Sequence, residues 1–299
     1  MATKRTSGNV EARLDGLMGR ARLPEDLVRD SMQELEKSLA AELSEKRTRE
    51  SAVAALRKTI YAPIIASAQD DHEAVRAVRD FRQLAPKKSR VKPPMLVSID
   101  PEIFTGPLGA RLVPPFPYSW QWSGIEGDAR GGAQVTGTNG IIGLWTDADR
   151  SDSGSASVRG ALGIYFYPPT QGGVLQFWST PAIAWSWSDY AVFDTAHTDA
   201  FMGLYVGSYD LNGAFSGAVV DQRQSLWNDT SHFTQTDDHG TNSAATLSTR
   251  LWVDNAHQYI LWLWCGTGAS GPGNGGLFSG GGAWSSLSVT IPSLSWSYE

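Results

Sequence analysis

Three acidic clusters in the second half of the chain carry residue types that bind cations or polar ligands. Asp147, Asp149 and Asp152 fall in one serine-rich loop, TDADRSDSGS. Carboxylate and hydroxyl oxygens are the ligands of hard cations, so the loop is a candidate Ca²⁺ site. Its spacing departs from the EF-hand loop, which places oxygens at positions 1, 3, 5 and 12 and glycine at 6. An ordinary solvated turn explains the same composition.

The other two clusters combine aspartate with histidine or tyrosine. Asp237, Asp238 and His239 are adjacent in the predicted polar loop TQTDDHGTN. The third cluster, in SDYAVFDTAHTDAF, lies where one predicted strand ends and another begins, and consists of Asp189, which precedes Tyr190, with Asp194, His197 and Asp199. These side chains can donate to or accept hydrogen bonds from a ligand. Aspartate, asparagine and glycine are also the residues that turns require. The candidate ligand contacts among them are Asp189, Tyr190, Asp237, Asp238 and His239.

The motifs of several large enzyme classes are absent from the sequence. There is no H-E-x-x-H, P-loop or dinucleotide fingerprint, and GASGPG around Ser270 fails the G-x-S-x-G pattern because Pro272 replaces the second glycine. A glycoside hydrolase needs two carboxyl groups facing each other across the sugar, and nothing in the sequence pairs any two. We predict a protein that is not an enzyme and requires no cofactor, with glycoside hydrolysis as the nearest enzymatic alternative.

All 12 tryptophans lie after residue 92. Each can bury on the order of 200 Å², so most are predicted to be core residues. Twelve is more than one core of this size usually holds, and those near predicted turns are candidates for sugar stacking or partner contact. These candidates are Trp120, Trp145, Trp178, Trp227 and Trp284.

Two Trp-x-Trp segments give different predictions, because both members of each pair share one face of a strand. In AIAWSWSDY the opposite face is small and polar, which predicts a solvated serine face with Ile183, Trp185 and Trp187 in the core. In YILWLWCG both faces are apolar. We therefore expect Trp262 and Trp264 to be interface residues, covered by the helical half or by a neighbouring subunit.

Composition divides the chain after Lys92. The first part holds 19 basic and 14 acidic residues, whereas the second holds 6 and 17, has no lysine, and contains 28 of the 31 glycines. Residues 85–95 are basic and contain a Pro-Pro pair, which predicts a linker between a helical segment at 1–84 and a Trp- and Gly-rich domain at 96–299. Acids and bases alternate in the first part, so we expect no nucleic-acid binding.

The first part is predicted to be helical. No glycine or proline interrupts the chain between Pro24 and Pro63, and the capping-box spacing of Ser67 and Asp70 predicts a second helix there. Apolar residues on an alternating spacing of four and three form a seam, interrupted by charged residues, that we expect to dock on another helix. An oligomerising stem and an intramolecular three-helix cap are the two alternatives. The seam residues are Val28, Met32, Leu35, Leu39, Val53, Leu56 and Ile60.

The second part alternates apolar and polar residues over eight to ten short segments separated by turns, which predicts an antiparallel, jelly-roll-like β-sandwich. The fold class is thus an α+β multidomain chain.

Cys265 is the single cysteine, so no intramolecular disulfide is expected. No apolar run approaches the roughly 20 residues of a membrane span, and no Sec signal is apparent.

This layout favours a non-enzymatic, lectin-like recognition protein, in which a β-sandwich on a helical, oligomerising stem binds a glycan or a cell-surface receptor. The first alternative is a self-assembling coat or filament subunit. The second is a toxin-like effector, whose lysine-free second half would lack ubiquitin acceptors. We expect synthesis in a cytoplasm, with release, injection or association with a virion left open.

Overall fold

The computed structural model describes residues 25–83, 91, 109–114, 120–148, 154–168, 172–243, 245–273, 278 and 280–298. The helices are α1 (Glu25–Gln69) and α2 (His72–Gln83). The strands are β1 (Gly109–Leu112), β2 (Trp120–Gly127), β3 (Arg130–Thr136), β4 (Ile141–Asp147), β5 (Gly154–Phe166), β6 (Gly173–Ser179), β7 (Ala182–Val192), β8 (Ala196–Asp210), β9 (Phe215–Ser231), β10 (Gln235–Asn242), β11 (Leu247–Val253), β12 (His257–Gly271), β13 (Gly280–Thr290) and β14 (Leu294–Tyr298).

The break between the two helices lies later in the chain than the sequence predicts. Helix α1 continues through Pro63, and the predicted start of a second helix at Ser67 is wrong because that residue still belongs to α1. Helix α2 begins after Asp71, whose Oδ1 accepts hydrogen bonds from the backbone N–H groups of Glu73 (2.8 Å) and Ala74 (3.3 Å). The Asp71 carboxylate therefore caps donors that a helix start leaves unpaired. Neither described helix is apolar enough to cross a bilayer.

The strands form three antiparallel sheets. Sheet A has the order β1-β14-β6-β11, sheet B has β2-β5-β12-β8-β9, and sheet C has β10-β7-β13-β4-β3. The predicted antiparallel β-sandwich is confirmed, whereas a jelly-roll connectivity is not.

The inner faces of the three sheets meet in one apolar core. Strand β12 contributes Leu261, Leu263 and Cys265, and β13 contributes Leu287 and Val289, all buried. In both strands these residues alternate with the side chains of the opposite face, as the period of a strand requires. Burial raises the pKa of the Cys265 thiol, so the thiol stays protonated and serves as a small apolar core residue.

The outer face of sheet B is an aromatic layer built around Trp262 and Trp264. A Cβ on Gly163 would lie 2.6 Å from the Trp262 ring, so this glycine provides the space that the indole occupies. The Phe201 ring packs edge-on against Trp264 at 4.6 Å, and the Arg223 guanidinium lies 4.9 Å from the Trp264 ring. The cover predicted for this strand therefore comes from the same chain. Both tryptophans are fully buried, which corrects their assignment to a subunit interface.

The serine face of sheet C is also covered. Ser188, Ser286 and Ser288 are buried, and the backbone N–H of Val91 donates a hydrogen bond of 3.2 Å to Ser286 Oγ. The sequence predicts a solvated serine face, and that prediction is wrong because these serines are buried and Val91 contacts one of them. Trp187 is nevertheless buried, as predicted.

Helix α1 docks on the sandwich through Tyr61 and Arg57. The Tyr61 ring packs edge-on against Phe193 (5.7 Å) and Phe233 (5.8 Å), two residues with left-handed backbone. Arg57 Nη1 contacts Thr195 Oγ1 and lies 2.8 Å from His232 Nδ1. Burial, with the nearby Arg57 charge as the next cause, lowers the pKa of His232, so the imidazole is neutral at pH 7. The neutral ring can accept a hydrogen bond from the guanidinium.

We expect Tyr61→Ala to weaken this docking. The substitution removes both aromatic contacts, which are worth about 0.5–1.5 kcal/mol each beyond the area they bury. Amide hydrogen exchange over the last turns of α1 should accelerate roughly tenfold or more. Ile64→Ala, at an exposed position of the same helix, is the matched control and should leave the exchange rates close to wild type. Unchanged exchange in Tyr61→Ala would contradict the docking described above.

Candidate functional site

Asp189 lies in a buried acidic corner between two sheets, which consists of Asp189, Asp229 and Ser231. Ser231 Oγ donates a 2.5 Å hydrogen bond to Asp189 Oδ1, and the Asp229 carboxyl is within hydrogen-bonding reach. Burial raises the pKa of Asp189 to about 7, the Ser231 hydrogen bond opposes this shift, and the Asp229 charge adds to it. A proton on Asp189 would let this carboxyl donate a hydrogen bond to Asp229, and Oδ2 of each aspartate otherwise has no hydrogen-bond partner.

This corner holds the sandwich together and does not offer hydrolytic geometry. The carboxyl groups of a glycosidase stand about 5–9.5 Å apart, with the sugar between them. Asp189 and Asp229 instead contact each other, and Asp189 is fully buried. Beside them the rings of Trp187 and Trp227 stack at 6.4 Å. The corner therefore joins β7 of sheet C to β9 of sheet B, and Asp189 is not accessible to a ligand.

The remaining acidic candidates lie on a strand, where the sequence analysis places a polar loop. Asp237, Asp238 and His239 belong to β10, an edge strand of sheet C, and are exposed. Trp185 Nε1 donates a 3.0 Å hydrogen bond to Asp238 Oδ2, and a Cβ on Gly240 would lie 2.7 Å from the Trp185 ring. The tryptophan thus packs over its neighbouring strand and orients one carboxylate. Tyr190 follows Asp189 on β7 and so points to the opposite face of the sheet.

The candidate tryptophans do not form one site. Trp284 is buried, and Trp145, Trp178 and Trp227 are half-buried. Trp120 begins β2, and its side chain lies outside the described residues. Trp227 lies beside the acidic corner, where its ring stacks on Trp187.

The structure describes only part of the candidate Ca²⁺ loop and only part of the helical seam. Asp147 ends β4, whereas Asp149 and Asp152 are outside the described residues. Within the described ranges no three His, Cys, Asp or Glu side chains are grouped to hold a metal. The side chains of the seam from Val28 to Leu39 are likewise undescribed, while those of Val53, Leu56 and Ile60 are exposed.

The structure adds a tryptophan that the sequence analysis missed. Trp252 on β11 is 65% exposed, the highest value among the exposed large apolar side chains of the described residues. In β11 the residues Leu247, Thr249, Leu251 and Val253 are buried, so Ser248, Arg250 and Trp252 lie on the outer face of sheet A. The sequence TLSTRLWV already shows this alternation, because the tryptophan is separated by even numbers of residues from the serine and the arginine and so shares their face of the strand.

Five residues define what we call the Trp252 face. Across the β6–β11 pair, Arg250 is opposite Gln176, and Ser248 is opposite Trp178. Along β11, Trp252 lies four residues from Ser248, which is opposite Trp178. The indoles of Trp252 and Trp178 are therefore roughly 13 Å apart, and Arg250 and Gln176 lie between them.

Gly172 supports the Trp252 ring. A Cβ at this glycine would lie 2.9 Å from Trp252 Cζ2, and its φ of +136° is a conformation that residues with a Cβ rarely adopt. The ring therefore has a fixed support from the chain on one side, while most of its surface is open to solvent. Such an arrangement is pre-organised for contact with a ligand.

No family model and no curated protein matches the chain. Similar solved structures include TmCBM61 in complex with β-1,4-galactotriose, with a TM-score of 0.19, 11% identity, and coverage of 59% of this chain and 88% of that one. The family 11 carbohydrate-binding module from Clostridium thermocellum, in complex with a β-1,3-1,4-mixed-linked tetrasaccharide, has a TM-score of 0.16 and 11% identity, covering 62% and 97%.

A third is the enzymatically active domain of bacteriophage CBA120 tailspike protein 4, with a TM-score of 0.19 and 10% identity, covering 59% of this chain and 19% of that one. At these scores the similarity assigns the chain neither a family nor a ligand.

Proposed function

We propose that this protein is a non-enzymatic recognition protein whose β-sandwich binds a carbohydrate on the Trp252 face. The observation that carries the proposal is the exposure of Trp252 over Gly172. A large indole left mostly in water contributes little to folding, and tryptophan is enriched where proteins contact ligands. Folding alone therefore does not explain a tryptophan at this position.

The polar residues between the two indoles suit a sugar. The Arg250 guanidinium offers several donors in a planar fork, and the Gln176 amide offers both donors and an acceptor, which matches neighbouring hydroxyl groups. An indole presents a flat apolar surface to the C–H face of a sugar ring. None of the five residues of the face carries a carboxyl group that could act as an acid or a base. The face is therefore a binding surface and lacks the groups needed for hydrolysis.

A glycan array with the full chain tests this function. The array should identify at least one bound oligosaccharide, and Trp252→Ala should weaken its binding about 30-fold or more, the effect of losing a central aromatic contact. Arg250→Ala should weaken binding about tenfold, as expected for one charge-assisted hydrogen bond.

Asp238→Ala, an exposed change on sheet C, is the control and should bind as wild type. An array without any bound glycan would contradict the recognition function. A glycan bound equally well by wild type and Trp252→Ala would exclude this face as the site.

A further inference from the structure

Two turns of the sandwich meet the C-terminal part of α1 at one corner. His232 lies in the turn between β9 and β10, and Thr195 lies in the turn between β7 and β8. Arg57 of α1 reaches both residues, because its Nη1 contacts Thr195 Oγ1 and lies 2.8 Å from His232 Nδ1. Beside this contact the Tyr61 ring packs on two phenylalanine rings of the same turns. The polar and the aromatic contacts together hold this part of α1 on the sandwich.

The contact between Arg57 and His232 requires a neutral imidazole. A guanidinium only donates hydrogen bonds, so Nδ1 must accept, and a histidine nitrogen accepts only when it carries no proton. Protonation would remove this acceptor and place a second positive charge at hydrogen-bond distance from the first. Two like charges at such a distance repel each other, and they do so more strongly at a half-buried site than in bulk water. The contact therefore favours docking only while His232 is uncharged.

We propose that His232 is a pH sensor, which releases this end of α1 from the sandwich when the imidazole becomes protonated. The ring is half-buried, so protons reach it from the solvent. Release would separate Tyr61 from Phe193 and Phe233 and expose all three rings to water. Acidification would thus uncover an aromatic surface that is partly hidden at neutral pH. This inference does not depend on the Trp252 face.

In the described part of the chain, three charged groups lie around His232 at this corner. Arg57 and Lys58 belong to α1, and Asp194 belongs to the turn between β7 and β8. Burial raises the pKa of Asp194, and the charges of Lys58 and Arg57 oppose this shift. The Asp194 carboxylate attracts both cations and so resists the release of α1, whereas a protonated Asp194 does not. Asp194 is therefore a second group whose titration changes docking, and an experiment has to separate it from His232.

The direction of the pH effect follows from the pKa of His232. Burial, followed by the charge of Arg57, lowers this pKa below the ordinary value of 6.5, while hydrogen bonds with the backbone of Asp194 and Ser231 oppose the shift. Release of α1 removes the Arg57 charge and part of the burial, so the released imidazole binds a proton at a higher pH than the docked imidazole does. Docking is consequently favoured above pH 6.5 and weakens as the pH falls below that value.

Hydrogen exchange of the full chain at about pH 7.5 and about pH 5, corrected for the intrinsic pH dependence of exchange, tests the proposal. In the wild type, the protection of the last turns of α1 should be about tenfold lower at the acidic pH. His232→Asn should abolish this difference, because the amide oxygen can accept a hydrogen bond at the position of Nδ1 and does not become charged. Asp194→Asn should keep the difference, because the imidazole is intact.

Strand β12 is the internal control. Protonation of Asp189 stabilises the sandwich as the pH falls, so β12 amides should not lose protection at the acidic pH. Arg57→Gln should dock with the same reduced strength at both pH values, because it lacks the guanidinium that a charged His232 would repel. Unchanged protection of wild-type α1 at the acidic pH would overturn the proposal, as would a loss that persists in His232→Asn. A loss that disappears in Asp194→Asn would assign the pH sensing to Asp194 and overturn it as well.

Discussion

Trp262→Ala is expected to lower the free energy of unfolding by about 4 kcal/mol, the cost of removing a large buried aromatic side chain and leaving a cavity. Trp262 is fully buried within the aromatic layer of sheet B, and its ring occupies the space that Gly163 provides. Neighbouring side chains are held by their own strands, so they can fill the cavity only in part. Urea unfolding followed by circular dichroism measures the loss as a lower midpoint at an unchanged slope.

Trp252→Ala is the matched control for this prediction. The same change of residue type at an exposed position should alter the stability by only about 0.5 kcal/mol. The pair separates folding from recognition, because Trp252→Ala should lose glycan binding while Trp262→Ala loses stability. Equal destabilisation by the two variants would show that Trp252 is a packing residue.

Asp189→Asn is expected to remove a large pH dependence from the stability of the sandwich. The pKa of Asp189 is raised from 3.8 to about 7 in the folded chain. Between these values the folded state holds a proton that the unfolded state has released, so the stability falls as the pH rises. The stabilisation is fully present below pH 3.8 and is lost by about pH 7. At about 1.4 kcal/mol per pKa unit, the total is on the order of 4 kcal/mol.

The difference between the wild-type and Asp189→Asn unfolding curves isolates this contribution. The amide mimics the protonated acid, so the variant should gain stability relative to wild type as the pH rises from 4 to 7. Asp238→Asn, an exposed carboxylate on the neighbouring strand β10, should follow the wild-type curve. If the wild-type and Asp189→Asn curves run parallel over this range, the pKa of Asp189 is not raised in the folded chain.

The sequence predicts the architecture well where one periodicity covers a whole element. The change from helical to strand spacing separates the part of the chain that forms α1 and α2 from the part that forms the sheets. The alternation in YILWLWCG also predicts a strand covered on both sides. What covers the strand is not predictable, because Arg223 and Phe201 reach Trp264 through pairings of β8 with β9 and β12 that no local pattern encodes.

The candidate site is less predictable for the same physical reason. Asp189 and Asp229 are 40 positions apart in sequence order, and only the packing of β7 against β9 brings the two carboxyl groups together. The exposure of Trp252 could have been predicted from the strand alternation, which places it on the same face as the polar residues Ser248 and Arg250. Instead, proximity to predicted turns favoured Trp284, which the core buries. A position near a turn indicates less about exposure than the strand alternation does.

The most direct test of the Trp252 face is fluorine NMR of the full chain labelled with 5-fluorotryptophan. The 12 tryptophans give separate probes in one spectrum, and Trp252→Phe assigns the resonance of interest. Titration with the oligosaccharide that the array identifies should shift the Trp252 resonance most, because that indole would be in contact with the sugar. An unmoved Trp252 resonance, with the Trp185 or Trp227 signal shifting in its place, would contradict the proposed site and locate recognition at the β7–β9–β10 edge.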